Sequence, residues 1–243
     1  MSRRFAPGWP LWIFVAVFLP LLVTLGFWQL DRAEEKRSLQ AQIDHGRAQP
    51  AIALDQLAPG ADVAWQPIRL KGQFDVEHLW LLDNRTRDGR AGVEVLQPFR
   101  DEQSGQWVIV NRGWLPWRDR SQRPAVDTPE HTVTLTAEAL PEPGRGFELP
   151  DGSDRAGWPK LIVRVEPQRL YDQLDLTGPG WIARLTDSGP GALRLDWPAL
   201  PMTATKHVGY AVQWFALALA LIVLFIWAGL RPESEGTLSH GKP

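Results

Sequence analysis

The sequence predicts a membrane protein in which two transmembrane α-helices, one N-terminal and one C-terminal, flank one mainly antiparallel β extramembrane domain with a short helix. Two runs without a charged side chain, residues 9–30 and 208–230, carry the first half of that expectation. Short β-branched and aromatic stretches between them, separated by Pro- and Gly-rich turns, carry the second. A mean hydropathy of -0.22 conceals both runs, because the long middle segment is polar.

At about 1.5 Å per residue the first run would reach roughly 33 Å, enough for a hydrocarbon core of about 30 Å. A secretory signal has a shorter apolar region and small residues before its cut site; this run ends in the bulky LGFWQL and is expected to stay as an uncleaved anchor. Trp9 and Trp12 at one end, Trp28 at the other, and Trp214 and Trp227 near the ends of the second run suit the headgroup level, where an indole is half buried. Two spans place both termini on one side. Arg3 and Arg4 favour a cytoplasmic N-terminus, and a long loop crosses largely regardless of its charge, so the domain is expected outside. Beyond the first span, residues 31–47 mix charges at helical spacing. They predict a helical extension ended by Gly46 and Pro50.

The extramembrane domain is expected over residues 31–206. QPIRLKG, VEHLWLLD, GVEVLQPF, QWVIVNRGW, HTVTLTAEA, KLIVRV and WIARL read as strands. DNRTRDGRAG, between Asp83 and Gly92, and DEQSGQ read as turns. The clearest alternation sets Val133, Leu135 and Ala137 against Thr132, Thr134 and Thr136, a half-buried strand. Residues 141–154, rich in Pro and Gly, predict a surface loop. EPQRLYDQLDL predicts a short helix, with Pro167 in its first turn and Leu170, Tyr171 and Leu174 on one face. TDSGPGALRLDWPALPM is expected to be irregular, residues 207–230 to form the second transmembrane helix, and residues 231–243 to be a disordered tail.

Composition excludes several chemistries. A net charge of -2 gives no basic excess for a nucleic acid partner. Without cysteine there is no disulfide, thiolate zinc site, Cys-ligated cluster or nucleophilic thiol. Met1 and Met202 are too few thioethers for a Cu(I) carrier. The five histidines are scattered, no GxSxG elbow or Walker loop occurs, and GPGWIA at Gly178 lacks the βαβ setting of a dinucleotide fingerprint. Carboxylates form no recognisable acid–base pair, so the chain is expected not to be an enzyme.

The remaining chemistry lies at the outer ends of the spans. His207, Tyr210 and Trp214 at i, i+3 and i+7 are expected on one helix face, continued by Leu217. Trp28, Arg32 and Glu35, at i, i+4 and i+7, are likewise expected on one face of the first helix, with Gln29 and Lys36 beside them. If the spans pack together, these faces meet at the outer membrane surface. An aromatic belt alone would account for Tyr210 and Trp214, and Gln213 could bond across to the partner helix. His207, one residue before the apolar run, is either an interfacial side chain or an imidazole ligand for a metal or a haem iron.

GFWQLDRAEEK, LDNRTRDGRAGVEVLQPF, VIVNRGWLP and HVGYAVQWFALA resemble, in order and spacing, motifs of the Surfeit locus protein 1 family of cytochrome c oxidase assembly factors. The resemblance spans nearly the whole chain. It departs at Glu35, where many relatives have another aromatic, and at TATK before His207, where an asparagine-rich run is usual. It implies a non-enzymatic factor that assists insertion of haem a into the catalytic subunit of the oxidase, or maturation of that subunit, at the membrane. The implied partners are that subunit, other assembly factors and membrane lipid. The implied cofactor-binding residues are His207, with the haem iron as its metal, and Tyr210, Trp214, Trp28 and Arg32. Gly26, Gln29, Asn111, Arg112, Gly113 and Trp114 are implied as partner-docking or structural positions. For NRGW two readings stay open: a local structural device, with Gly113 at positive φ and Trp114 in the β core, or a docking edge or cofactor contact. For the whole chain the alternative is a membrane-anchored scaffold that stabilises an oxidase intermediate without binding haem. The lack of an Arg-rich, acid-poor leader favours a bacterial plasma membrane over a mitochondrial inner membrane.

Overall fold

The computed structural model describes residues 3–5, 7–58, 61, 63–140, 157–197 and 202–232. In chain order its elements are β1 (Arg3–Phe5), α1 (Trp9–Arg47), β2 (Ile52–Ala53), a 3-10 turn (Leu54–Gln56), β3 (Pro67–Phe74), β4 (Trp80–Arg87), β5 (Arg90–Asp101), β6 (Trp107–Pro116), β7 (Val133–Leu140), β8 (Lys160–Ile162), α2 (Pro167–Asp172), β9 (Ile182–Leu185), α3 (Ala204–Gly229) and β10 (Leu230–Pro232). They form two compact units, one of residues 1–40 and 199–243, the other of residues 41–198.

The first unit is a pair of helices, each long and apolar enough to cross a membrane. α1 continues unbroken through the charged extension to Arg47, and its last turns, from Ala41, belong to the second unit. Gly26, Gln29 and Ala33 are buried on α1, and His207, Ala211 and Ala218 on α3. Steps of three, four and seven are those of a narrow coiled-coil-like seam, and the small residues in it let backbones approach where no water drives association. A Cβ at Gly26 would lie 2.6 Å from the Phe215 ring. Phe27 meets Phe215 edge-on at 5.4 Å and Trp12 meets Phe225 at 4.8 Å, so the helices run antiparallel. β1 pairs antiparallel with β10, Arg3 opposite Pro232 and Phe5 opposite Leu230. Arg231 and Pro232, expected to open a free tail, are therefore in a ladder; residues 233–243 and the expected loop at 141–154 lie outside the described residues.

The second unit is an eight-stranded sheet in the order β2-β3-β7-β9-β6-β5-β4-β8, closed by an extra pairing of β3 with β5. The twelve-residue β5 makes this possible. Its first half pairs with β4, and its last three residues, Phe99–Asp101, pair with Gly72–Phe74 of β3 on the same edge. Five strands thus ring an apolar interior of Ile68, Leu70, Val110, Leu135, Ala183 and Leu185, with Phe74 against Phe99. Val133, Leu135 and Ala137 do face this core, as their alternation predicts. A second cluster, including Trp80, Leu96 and Ile109, lies under α2, whose buried Leu170 and Tyr171 are the residues its pattern picked out. The Tyr171 hydroxyl accepts from the Ile109 amide at 3.1 Å and donates to the Trp181 carbonyl at 3.2 Å.

Two expectations need correction. Residues 83–92 are not one long turn: β4 and β5 run to Arg87 and Arg90, and only Asp88 and Gly89, both at positive φ, make the hairpin connection. The sheet is antiparallel in most pairings, but β2–β3, β4–β8 and β6–β9 are parallel.

Candidate functional sites

In the helix pair the seam brings the first and last motifs together at one bond. His207 Nδ1 lies 2.7 Å from Gln29 Oε1, and both side chains are buried. An amide oxygen only accepts, so the ring donates from Nδ1, and in a neutral imidazole Nε2 is then the nitrogen with the lone pair. Beside this bond, Arg32 lies over the Trp28 ring at 5.8 Å and pairs with Glu35 at 2.5 Å. Trp28 and Tyr210 are exposed, at 48% and 45%, while Trp214 is half buried. The expected common face of α3 therefore divides. His207, Ala211 and Ala218 turn to the seam, whereas Tyr210 and Leu217, roughly 80–100° round the helix from its centre, turn away. Gly26 serves the packing on Phe215.

In the β unit every NRGW residue has a structural partner. β6 carries two residues, Arg112 and Gly113, opposite the single Val95 of β5, a bulge. Gly113 sits at φ 118°, and a Cβ there would lie 2.7 Å from the Arg194 carbonyl oxygen. Its amide donates to Asn111 Oδ1 at 3.1 Å, and Asn111 Nδ2 donates to Glu94 at 2.9 Å. Trp114 is buried, with its indole donating to the Arg85 carbonyl at 2.9 Å. Arg112, 1% exposed, donates to the Gly191 carbonyl at 2.6 Å, Gln97 at 2.5 Å, Thr128 at 3.0 Å and the Asp127 carbonyl at 2.5 Å. Its guanidinium also lies 4.9 Å over Phe74. Burial pulls its pKa down to about 10, against the opposing pull of Asp127, so it remains a cation at neutral pH.

Two carboxylates absent from the sequence expectations organise the same unit. Glu94 accepts from Arg87 at 2.7 Å as well as from Asn111. Glu138 binds Arg47 of α1 through two bonds, at 2.8 and 3.1 Å, and also Arg184. Burial would raise the Glu138 pKa, but these two guanidiniums outweigh it and hold the carboxyl below its ordinary value. Sequence spacing could not have paired residues 91 and 46 positions apart. Glu138 falls on the polar parity of β7, with Thr134 and Thr136, so alternation alone predicts an exposed carboxylate there.

The family model of the SURF1 family matches residues 16–219. A SURF1-like protein of Rickettsia felis is 26% identical over 220 residues, covering 87% of this chain and 93% of the relative. A SURF1-like protein of Monosiga brevicollis is 25% identical over 226 residues, covering 85% and 82%. Surfeit locus protein 1 of Gallus gallus is 23% identical over 231 residues, covering 84% and 69%. The matched region takes in both seam partners, Gln29 and His207, and the whole β sheet from β2 to β9, so the chain belongs to the SURF1 family, known generally as cytochrome c oxidase assembly factors.

Proposed function

We propose that this protein assists haem a insertion into the catalytic subunit of cytochrome c oxidase, with the helix pair as a transient haem a holder and His207 as the iron ligand. The observation that carries this reading is the Gln29–His207 bond. A ring nitrogen held by an acceptor fixes the tautomer and leaves the other nitrogen basic, the usual second partner of a metal-ligating imidazole. Among the described residues no group of three His, Asp or Glu could hold a bare metal ion. A lone imidazole suits an iron that brings four ligands of its own in a porphyrin. Exposed Trp28 and Tyr210 offer aromatic surface for a macrocycle. Arg32, whose ion pair with Glu35 is exposed and weak, can exchange it for a propionate. When bound, the haem supplies redox chemistry to the oxidase; this chain holds and orients it and performs no catalysis of its own.

The proposed setting is a bacterial plasma membrane with both termini cytoplasmic and the β unit on the outer face. Protein purified from cells making haem a is expected to show a haem spectrum. His207→Ala should abolish it and Gln29→Leu should weaken it; an unchanged spectrum in His207→Ala, with oxidase maturation also unchanged, removes His207 from the site. The 7% exposure of His207 favours one competitor, a scaffold that binds the catalytic subunit without haem. That protein would co-purify with the subunit and stay colourless.

A further inference from the structure

Two of the four family-like motifs, LDNRTRDGRAGVEVLQPF and VIVNRGWLP, take no part in the haem reading, yet the β unit sets them side by side. Each contains a bulge with one residue at positive φ, Asn84 at 59° and Gly113 at 118°, and both bulges border residues 92–96 of β5. The bulge in β4 changes which side chains face which way. Leu82 stands opposite Glu94, and after the inserted residue Arg85 and Arg87 stand opposite Gly92 and Arg90, on the same face as Glu94. Without it, residues 84 and 86 would take that face and both guanidiniums would be lost from it.

The geometry points to an anion-binding site on this face, built by Arg85, Arg87 and Arg184, that takes a phosphate or carboxylate group. A cavity of about 450 Å³ lies there, with Trp197 and Leu140 as its apolar wall. That volume falls in the range of small-ligand sites, about 300–1,000 Å³. Among the described residues the charged lining is three guanidiniums and one carboxylate, Glu94. Glu94 is already committed: one oxygen accepts from Arg87 and the other from Asn111. Arg85 Nε stays 3.8 Å from it, too far for a hydrogen bond. Arg184 shares Glu138 with Arg47. Among the described residues Asp196 is the other carboxylate near Arg87; it accepts from Arg194 at 2.5 Å and lies 3.9 Å from Arg87 Nε.

Arg87 supplies the second sign. It is 8% exposed, and its Nε is a buried donor without a partner among the described residues. Buried guanidiniums are normally satisfied, and three cations around one lining carboxylate leave the space net positive among the described residues. A tetrahedral or planar oxyanion would meet Arg forks bidentately and supply the missing charge. This site is independent of His207 and stands or falls apart from haem binding.

The test uses the full chain. In detergent at constant ionic strength, chloride is replaced stepwise by inorganic phosphate or succinate while thermal unfolding is followed. In parallel, the chain is placed in phosphatidylcholine nanodiscs with and without phosphatidylglycerol. The site predicts a saturable rise in Tm with the soluble anions, and an apparent affinity weakened about tenfold in Arg85→Gln, roughly the value of one charge-assisted contact. Arg85→Gln is chosen because that side chain is partly exposed and makes no close ion pair, so folding should survive. Arg120→Gln, which breaks a surface pair with Asp83, should respond like the wild type. A response to phosphatidylglycerol alone, lost in Arg85→Gln, supports the site and names a lipid headgroup as the source. No response in either arm, or equal responses in wild type, Arg85→Gln and Arg120→Gln, overturns the proposal.

Discussion

Gln29 and His207 meet through one hydrogen bond in a seam otherwise made of Gly26, Ala33, Ala211, Ala218 and aromatic rings, whereas Arg112 spends its guanidinium on four acceptors from three separate loops and strands. The contrast follows from what surrounds each region. Between helices in lipid, an added polar group risks going unsatisfied, so one matched pair can set the register and small residues supply the contact. In the β unit the bulges of β4 and β6 interrupt the ladder, and the freed groups are recovered by side chains that link many partners at once. The helix pair should therefore tolerate loss of its polar bond far better than the β unit tolerates loss of one network member.

Arg112→Leu tests that contrast at its largest. It strands the Gln97 amide, the Thr128 hydroxyl and two carbonyls in a buried site, so the β unit should lose about 3–5 kcal/mol, the usual penalty for breaking a buried charged network. Arg112→Lys should recover little, because one ammonium cannot span the same acceptors in a plane. Chemical denaturation followed by near-UV circular dichroism measures both. A cost under about 1 kcal/mol for the leucine variant would mean the network is ornamental.

Gly113→Ala comes next, at about 2–3 kcal/mol, since it combines a φ of 118° with a carbonyl oxygen 2.7 Å from the new Cβ. Its counterpart in the helices, Gly26→Ala, meets only the edge of the Phe215 ring, which can turn. That substitution should cost about 1 kcal/mol or less. Because the chain has no cysteine, Gln29→Cys with His207→Cys offers a direct check: mild oxidant should cross-link the pair in the wild-type seam and less completely in a Gly26→Leu background.

What the sequence revealed follows the same division. The spans, the α1 extension, the buried parity of β7 and the Pro167 start of α2 all rest on periodicity or local chemistry within one element, and each is found. Local spacing marks Gln29 and His207 but does not pair them, since 178 positions separate them. Spacing alone puts Tyr210 with His207, but the 3.6-residue period leaves it on the flank of a seam only one side chain wide. Glu94, Arg85 and Arg87 were invisible as a group because the residue that brings them together is an insertion in the ladder, and strict alternation assigns them to the wrong faces.

The smallest expected effect separates the two regions by pH. Burial pushes the Glu138 pKa up, but the hydrogen bonds from Arg47 and Arg184 win and hold it below its unfolded value of about 4.3. A depressed carboxyl contributes stability that is fully present above the unfolded pKa and is lost as pH falls through the folded one. The β unit should thus weaken as pH drops below about 4, and Glu138→Gln, which keeps the shape and removes the proton equilibrium, should flatten that slope. No carboxylate takes part in the Gln29–His207 bond, so the helical circular dichroism should not track the change. If Glu138→Gln follows the same acid profile as the wild type, the Arg47–Glu138–Arg184 cluster does not hold the last turn of α1 electrostatically within the β unit, and that turn is held by packing alone.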